Sequence, residues 1–176
     1  ISGRYLGEVV RLVVNDVSSK SDDFSVWDRP NSAFGIPYGF TTEHLSDIAH
    51  DNTTELTGTG MLLRRSGVGA SEPRERRHLK EICQMVAGRS SRMVAMSIAA
   101  TALYIDPHLD SRHVVAVDGS LFRGYPGYQQ GVQAGLQQIL GESSAERVQV
   151  SYVRDGSGIG AAIIAAVAGA GSPQES

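Results

Sequence analysis

Apolar residues recur every three or four positions at the start of the chain, at Tyr5, Leu6, Val9, Val10, Leu12 and Val13. That spacing fits one face of an α-helix and predicts an amphipathic helix capped by Ser2 or Gly3. Asn15-Asp16 reads as its C-terminus. Residues 16–40 lose the period and carry Pro30, Gly35, Pro37 and Gly39. They predict a long connection packed irregularly around Trp27 and Phe34, a length uncommon unless the loop is functional or disordered. Thr41 to Ala49 predicts a short helix. Ser71-Glu72-Pro73 predicts the start of another, with proline in its first turn. Leu79, Ile82, Cys83 and Val86 keep one face of it apolar. Gly88-Arg89-Ser90-Ser91 weakens the pattern and Met93 to Leu103 resumes it, which predicts one long helix with a break or two in series.

The second half changes period. Residues 113–118 and 148–153 are short apolar runs that predict buried strands. Between them Tyr128, Val132, Leu136, Ile139 and Leu140 predict an amphipathic helix ended by Gly141. An alanine-rich helix from about 158 to 170 closes the chain. Helices followed by strand–helix–strand–helix predict an α/β layer architecture with an incomplete sheet.

Each strand runs into the same tripeptide, Asp118-Gly119-Ser120 and Asp155-Gly156-Ser157. These residue types favour tight turns, and a turn is one reading. A nucleotide site is the other. Glycine permits positive φ and close approach of a ligand to bare backbone. Helix N-termini attract phosphate, and ligands in open α/β sheets sit at the carboxyl ends of strands. His50-Asp51-Asn52-Thr53-Thr54 likewise reads either as a helix cap or as a set of phosphate donors.

Composition narrows the partners. The chain has 176 residues, 41% apolar and 20% charged, with a net charge of −3. That charge gives no support for a nucleic-acid or membrane surface, and no run is long and apolar enough to span a bilayer. The single cysteine, Cys83, has no internal disulfide partner. It reads as a buried thiol, in keeping with a reducing, cytoplasmic setting. The histidines at 44, 50, 78, 108 and 113 lack metal-ligand spacing, so no protein-held metal is expected. Arg64, Arg65, Arg74, Arg76, Arg77 and Lys80, interleaved with glutamates, read as a solvated helix face. The chain opens on Ile1 and shows no secretory pattern, so it is expected to be the end of a longer polypeptide.

The segments Ile1-Ser2-Gly3-Arg4-Tyr5-Leu6-Gly7-Glu8, Leu45-Ser46 through His50-Asp51, Cys83 through Ser90, Val114 to Phe122 and Asp155 to Ala168 occur in one order. In that order they resemble the C-terminal part of the ATP-dependent hexokinases. The resemblance implies the C-terminal portion of the hexokinase large domain, over residues 1–176, in an actin-like ATPase (ribonuclease H-like) fold. It implies Gly3 and Arg4 beside the nucleotide phosphates, and Asn52, Thr53, Thr54, Glu55 and Leu56 in a phosphate-side loop. Gly119, Ser120, Leu121, Phe122, Arg123 and Gly124 would border the adenosine and its phosphates. Glu8 would be a structural anchor, and the terminal helix would pack toward the small lobe of the parent. Asn52 stands where the family usually carries threonine, with Thr53 beside it, and residues 57–70 do not match clearly.

The implied activity is a glycolytic transferase, moving the γ-phosphoryl group of ATP, with Mg2+, to the 6-hydroxyl of glucose or a related hexose. The family's catalytic aspartate and sugar-binding carboxylates lie upstream of residue 1. No catalytic residue is therefore expected within this chain, and the hexose would bind through the rest of the parent. The isolated segment is expected to be inactive and short of packing partners. Two other readings stand beside this one: a non-catalytic sugar or nucleotide sensor, and an unrelated actin-like ATPase or α/β interaction module.

Overall fold

The computed structural model describes residues 3–20, 27 and 30–170. Eight helices and two strands occur among them. Helix α1 (Gly3–Ser18) runs three residues beyond Asn15. Asn15 is no terminus, because its side-chain amide donates to the Phe34 carbonyl at 3.0 Å. Ser2, the other expected cap, lies outside the described residues. Arg11 donates to the same carbonyl at 3.0 Å and pairs with Glu8 at 2.7 Å. The connection after α1 packs as expected: Trp27, Phe34 and Phe40 are buried, with ring centroids 5.4 and 4.8 Å apart in sequence order.

Helix α2 (Thr42–His50) starts with a reciprocal cap. The Thr41 hydroxyl accepts from the His44 amide, and His44 Nδ1 accepts from the Thr41 amide at 3.1 Å. Burial holds the His44 pKa below its usual value, which favours the neutral ring whose Nδ1 can accept. Helix α3 (Thr57–Arg65) occupies a stretch that had no predicted element.

Helix α4 (Pro73–Ile105) is a single unbroken helix of 33 residues, not two in series. The Glu72 amide donates to the Glu75 carboxylate at 2.7 Å and Pro73 opens the first turn. The small residues that predicted a break are contact residues. Ser90 and Ser91 are buried, and α6 (Tyr128–Leu140) packs closely here. A Cβ on Gly131 would stand 2.6 Å from Ser91 Oγ, and one on Gly135 would stand 2.7 Å from Ala95 Cβ. Glycine and small residues thus trade helix propensity for close helix approach.

Strands β1 (His113–Val117) and β2 (Val148–Tyr152) pair in parallel, His113 against Val148 through Val117 against Tyr152. The crossover runs through α5 (Ser120–Gly124), α6 and the single turn α7 (Glu142–Ala145). Gly141 ends α6 at φ 79°, as its sequence position predicted. The strands are not buried on both faces. Val115 and Val117 turn toward the core, but Val114 is 72% exposed. Helix α8 (Gly156–Ala170) also presents apolar side chains outward, Ile164 at 71% exposure among them. A sheet with one bare apolar face fits an incomplete layer. No helix among the described residues is long and apolar enough to cross a membrane.

Candidate functional site: a cleft between three helix starts

Three helix N-termini converge on a cleft of about 530 Å³. Helix α1 contributes Arg4 from its first turn. Helix α2 contributes Thr42, Glu43 and Ser46, with its cap Thr41. Helix α5 contributes Ser120, Leu121 and Gly124, with Tyr125 just beyond. One glycine makes this convergence possible. A Cβ on Gly7 would stand 2.2 Å from the Phe40 carbonyl oxygen, so only glycine lets α1 lie against the entrance to α2. The Gly7 amide then donates to the Thr42 hydroxyl at 3.2 Å. Glu8, one residue on, also accepts from the Tyr38 amide at 2.7 Å. Its carboxyl is held below the usual range, chiefly by the Arg11 hydrogen bond against the opposing effect of burial. Glu8 is thus spent as a structural tie.

The cleft lies at the carboxyl ends of the strands. The Val153 amide donates to the Val117 carbonyl at 3.0 Å, which brings the two Asp-Gly-Ser turns side by side. Neither turn places its glycine in the left-handed region of positive φ. Gly119 has φ 170°, extended backbone open to any residue. At the second turn Asp155, not Gly156, takes the left-handed conformation at φ 54°. Space is what Gly119 provides, since a Cβ there would meet nothing within 4 Å. The residues of the first turn divide by direction. Gly119 and Phe122 line a smaller adjoining cavity of about 220 Å³, together with Ser120 and Leu121. The Arg123 guanidinium lies over the Tyr152 ring, 5.7 Å from its centroid, clipping α5 to β2.

The resemblance also implies a phosphate-side loop at residues 52–56, and that loop is not part of this lining. None of Asn52, Thr53, Thr54, Glu55 or Leu56 lines the cleft. Asp51 organises them instead. Its Oδ1 accepts from the Thr53 amide and hydroxyl at 3.2 and 2.7 Å, and its Oδ2 accepts from the Thr59 amide and hydroxyl. The Thr53 hydroxyl proton is therefore committed within the loop. Two members of the basic cluster are tethered here too, rather than simply solvated. Lys80 donates to the Asp51 carbonyl at 2.6 Å and Arg76 to the Glu55 carbonyl at 3.0 Å.

The wall that the sequence reading missed is Thr42 and Ser46. Neither was among the residues expected at the nucleotide, although Ser46 stands near the start of one of the family-like segments. Their spacing of four is the available signal, since it stacks two hydroxyls on one helix face.

A family model described as hexokinase matches residues 1–167. Hexokinase-1 of Oryza sativa subsp. japonica is 36% identical over 173 residues, covering 94% of this chain and 34% of that protein. Hexokinase-like 1 protein of Arabidopsis thaliana is 34% identical, with 94% and 34% covered. A solved hexokinase from Schistosoma mansoni, complexed with glucose, superposes with a TM-score of 0.75 at 29% identity. That match covers 95% of this chain and 36% of the solved one. The chain thus spans about a third of the length of the curated relatives it matches.

Proposed function

The chain belongs to the hexokinase family, and from that premise we propose that its parent protein transfers the γ-phosphoryl group of MgATP to the 6-hydroxyl of glucose or a related hexose. The chain carries part of the family's actin-like ATPase fold. In this reading it is the C-terminal portion of the large domain and supplies the nucleotide floor.

The observation that supports this most is the 530 Å³ cleft itself, which joins residues remote in sequence at the strand ends. Its chemistry suits a nucleoside triphosphate. Arg4 brings positive charge to one side, while Thr42, Ser46 and Ser120 bring hydroxyls suited to phosphate or ribose oxygens. Leu121 and Tyr125 offer apolar surface suited to a flat base. Gly3, Arg4, Ser120, Leu121, Arg123 and Gly124 remain proposed nucleotide residues, as do Asn52, Thr53, Thr54, Glu55 and Leu56 in the phosphate-side loop, joined by Thr42 and Ser46. Gly119 and Phe122 support the wall behind them.

Among the described residues no group of three or more His, Cys, Asp or Glu side chains could hold a metal ion. In this reading Mg2+ enters on the nucleotide phosphates. Phosphoryl transfer of this kind also needs a carboxylate to take the hydroxyl proton. The family resemblance places that aspartate upstream, so this segment binds and orients. The proposed location is the cytoplasm, consistent with one buried, unpaired cysteine.

The test is a coupled assay for sugar 6-phosphate on the full-length parent, with MgATP and a panel of hexoses. Turnover of glucose or a close relative is expected. No product with any hexose overturns the assignment, and binding without turnover would point to a sensor.

A further inference from the structure

Behind the cleft lies a second cavity of about 240 Å³, between the middle of α4 and the start of α6. Ala87, Gly88 and Ser91 line it on one side and Gly127 and Gly131 on the other, with Pro126 and Tyr128 also in the wall. One side chain belongs to both spaces. Tyr125 lines the cleft and also lines the cavity. It is only 8% exposed, and its hydroxyl has no hydrogen-bond partner among the described residues. An edge-on contact with the Tyr128 ring, at 6.3 Å, helps to hold it. Tyr128, in contrast, shares a hydrogen bond with Ser90 at 2.7 Å.

We propose that Tyr125 is the specificity-determining wall at the base end of the nucleotide cleft, closing it off from the cavity behind. The inference rests on the nucleotide reading given above. The orientation follows from charge. Among the described residues that line the cleft Arg4 is the one cation and Glu43 the one anion, so the phosphates belong on the side of Arg4 and the base against Leu121 and Tyr125. A purine triphosphate enlarged on its base meets the Tyr125 ring in the native protein. Shortening that side chain joins the two spaces. A cavity of about 150 Å³ accepts a benzene ring, and 240 Å³ exceeds that. The joined site is therefore large enough for a ring-sized substituent on the base.

The experiment is a titration of the full-length protein with MgATP and with adenosine triphosphates carrying a benzyl group at N6 or a bulky group at C2 or C8. Tyr125→Ala should bind at least one enlarged analogue about tenfold or more tighter than the native protein does, with a smaller change for MgATP. Tyr125→Phe should keep native selectivity and lose no thermal stability, because the hydroxyl it removes is unpartnered. If Tyr125→Ala does not fold, Tyr125→Leu serves the same comparison. Native protein that binds MgATP alongside variants that gain no analogue overturns this inference alone. Native protein that binds no MgATP overturns the nucleotide reading and this inference with it.

Discussion

The carboxylate of Asp51 caps the helix that holds Thr59, accepting from its backbone amide at 2.7 Å and its hydroxyl at 2.8 Å. Helix α3 has no cap of its own at Leu56, which sits at φ 49°. Its N-terminal charge is met from eight residues upstream. Burial alone would raise the Asp51 pKa, but the hydrogen bonds from Thr53 and Thr59 outweigh it and hold it at about 2, below the usual 3.8. A depressed carboxyl pKa contributes stability above the unfolded value and loses it as pH falls through the folded one. Urea unfolding should therefore show a contribution from Asp51 that is full above about pH 5 and fades toward pH 2. Asp51→Ala should cost roughly 1–3 kcal/mol at pH 7 and flatten that acid limb. A native-like pH profile in the variant would contradict this.

The contact between Gly135 of α6 and Ala95 of α4 gives a second prediction. Gly135→Ala puts a methyl 2.7 Å from Ala95 Cβ, and neither methyl can rotate away. Overpacking of this kind costs about 1–3 kcal/mol, which should lower the thermal midpoint by several degrees. Ala95→Gly in the same chain should restore part of it. Additive losses in the double variant would show that the two positions do not meet.

At Gly7 the obstruction is backbone, since an added Cβ would lie 2.2 Å from the Phe40 carbonyl oxygen and 2.4 Å from the Thr41 carbonyl carbon. Gly7→Ala should displace α1 from α2 and so separate Arg4 from Thr42 across the cleft. The expected outcome is loss of MgATP binding in the full-length protein, tenfold or more by calorimetric titration. Unchanged affinity would mean that α1 does not form part of the nucleotide wall.

Cys83 is fully buried on α4, and burial pushes its thiol up to about 12. Thiolate is the reactive form. A disulfide reagent at pH 8 should leave the native protein unlabelled over minutes and label it fully in denaturant. Fast labelling of the native protein would refute the buried assignment.

Periodicity made α1, α2, α6 and the two strands legible, because each carries its pattern in its own residues. Helix α3 was hidden for a tertiary reason. Gly58 and Gly60 make 57–65 read as a loop, yet both make room for neighbours. A Cβ on Gly58 would lie 3.2 Å from Asp51 Oδ2, and one on Gly60 would lie 2.8 Å from the Arg76 guanidinium carbon. A related cause lies behind the expected break in α4, where Ser91 reads as a helix weakener but is the residue against which Gly131 of α6 packs. Half of the cleft was readable. Arg4, Ser46, Ser120, Leu121 and Gly124 stand in segments that carry the family likeness, whereas Thr42 is set there by the docking of α1 onto α2. The exposure of Val114 agrees with the incomplete sheet expected from two strands alone, although which strand face would be bare was not readable.

The 33 residues of α4 make a rod about 50 Å long. Near one end Lys80 and Arg76 hold the carbonyls of Asp51 and Glu55. At the other, Asp106 pairs with His113, the first residue of β1, at 3.1 Å. Such a rod behaves as a lever. Were α4 to tilt as a rigid body about its midpoint, the segment at 51–55 and the root of the sheet would swing in opposite senses.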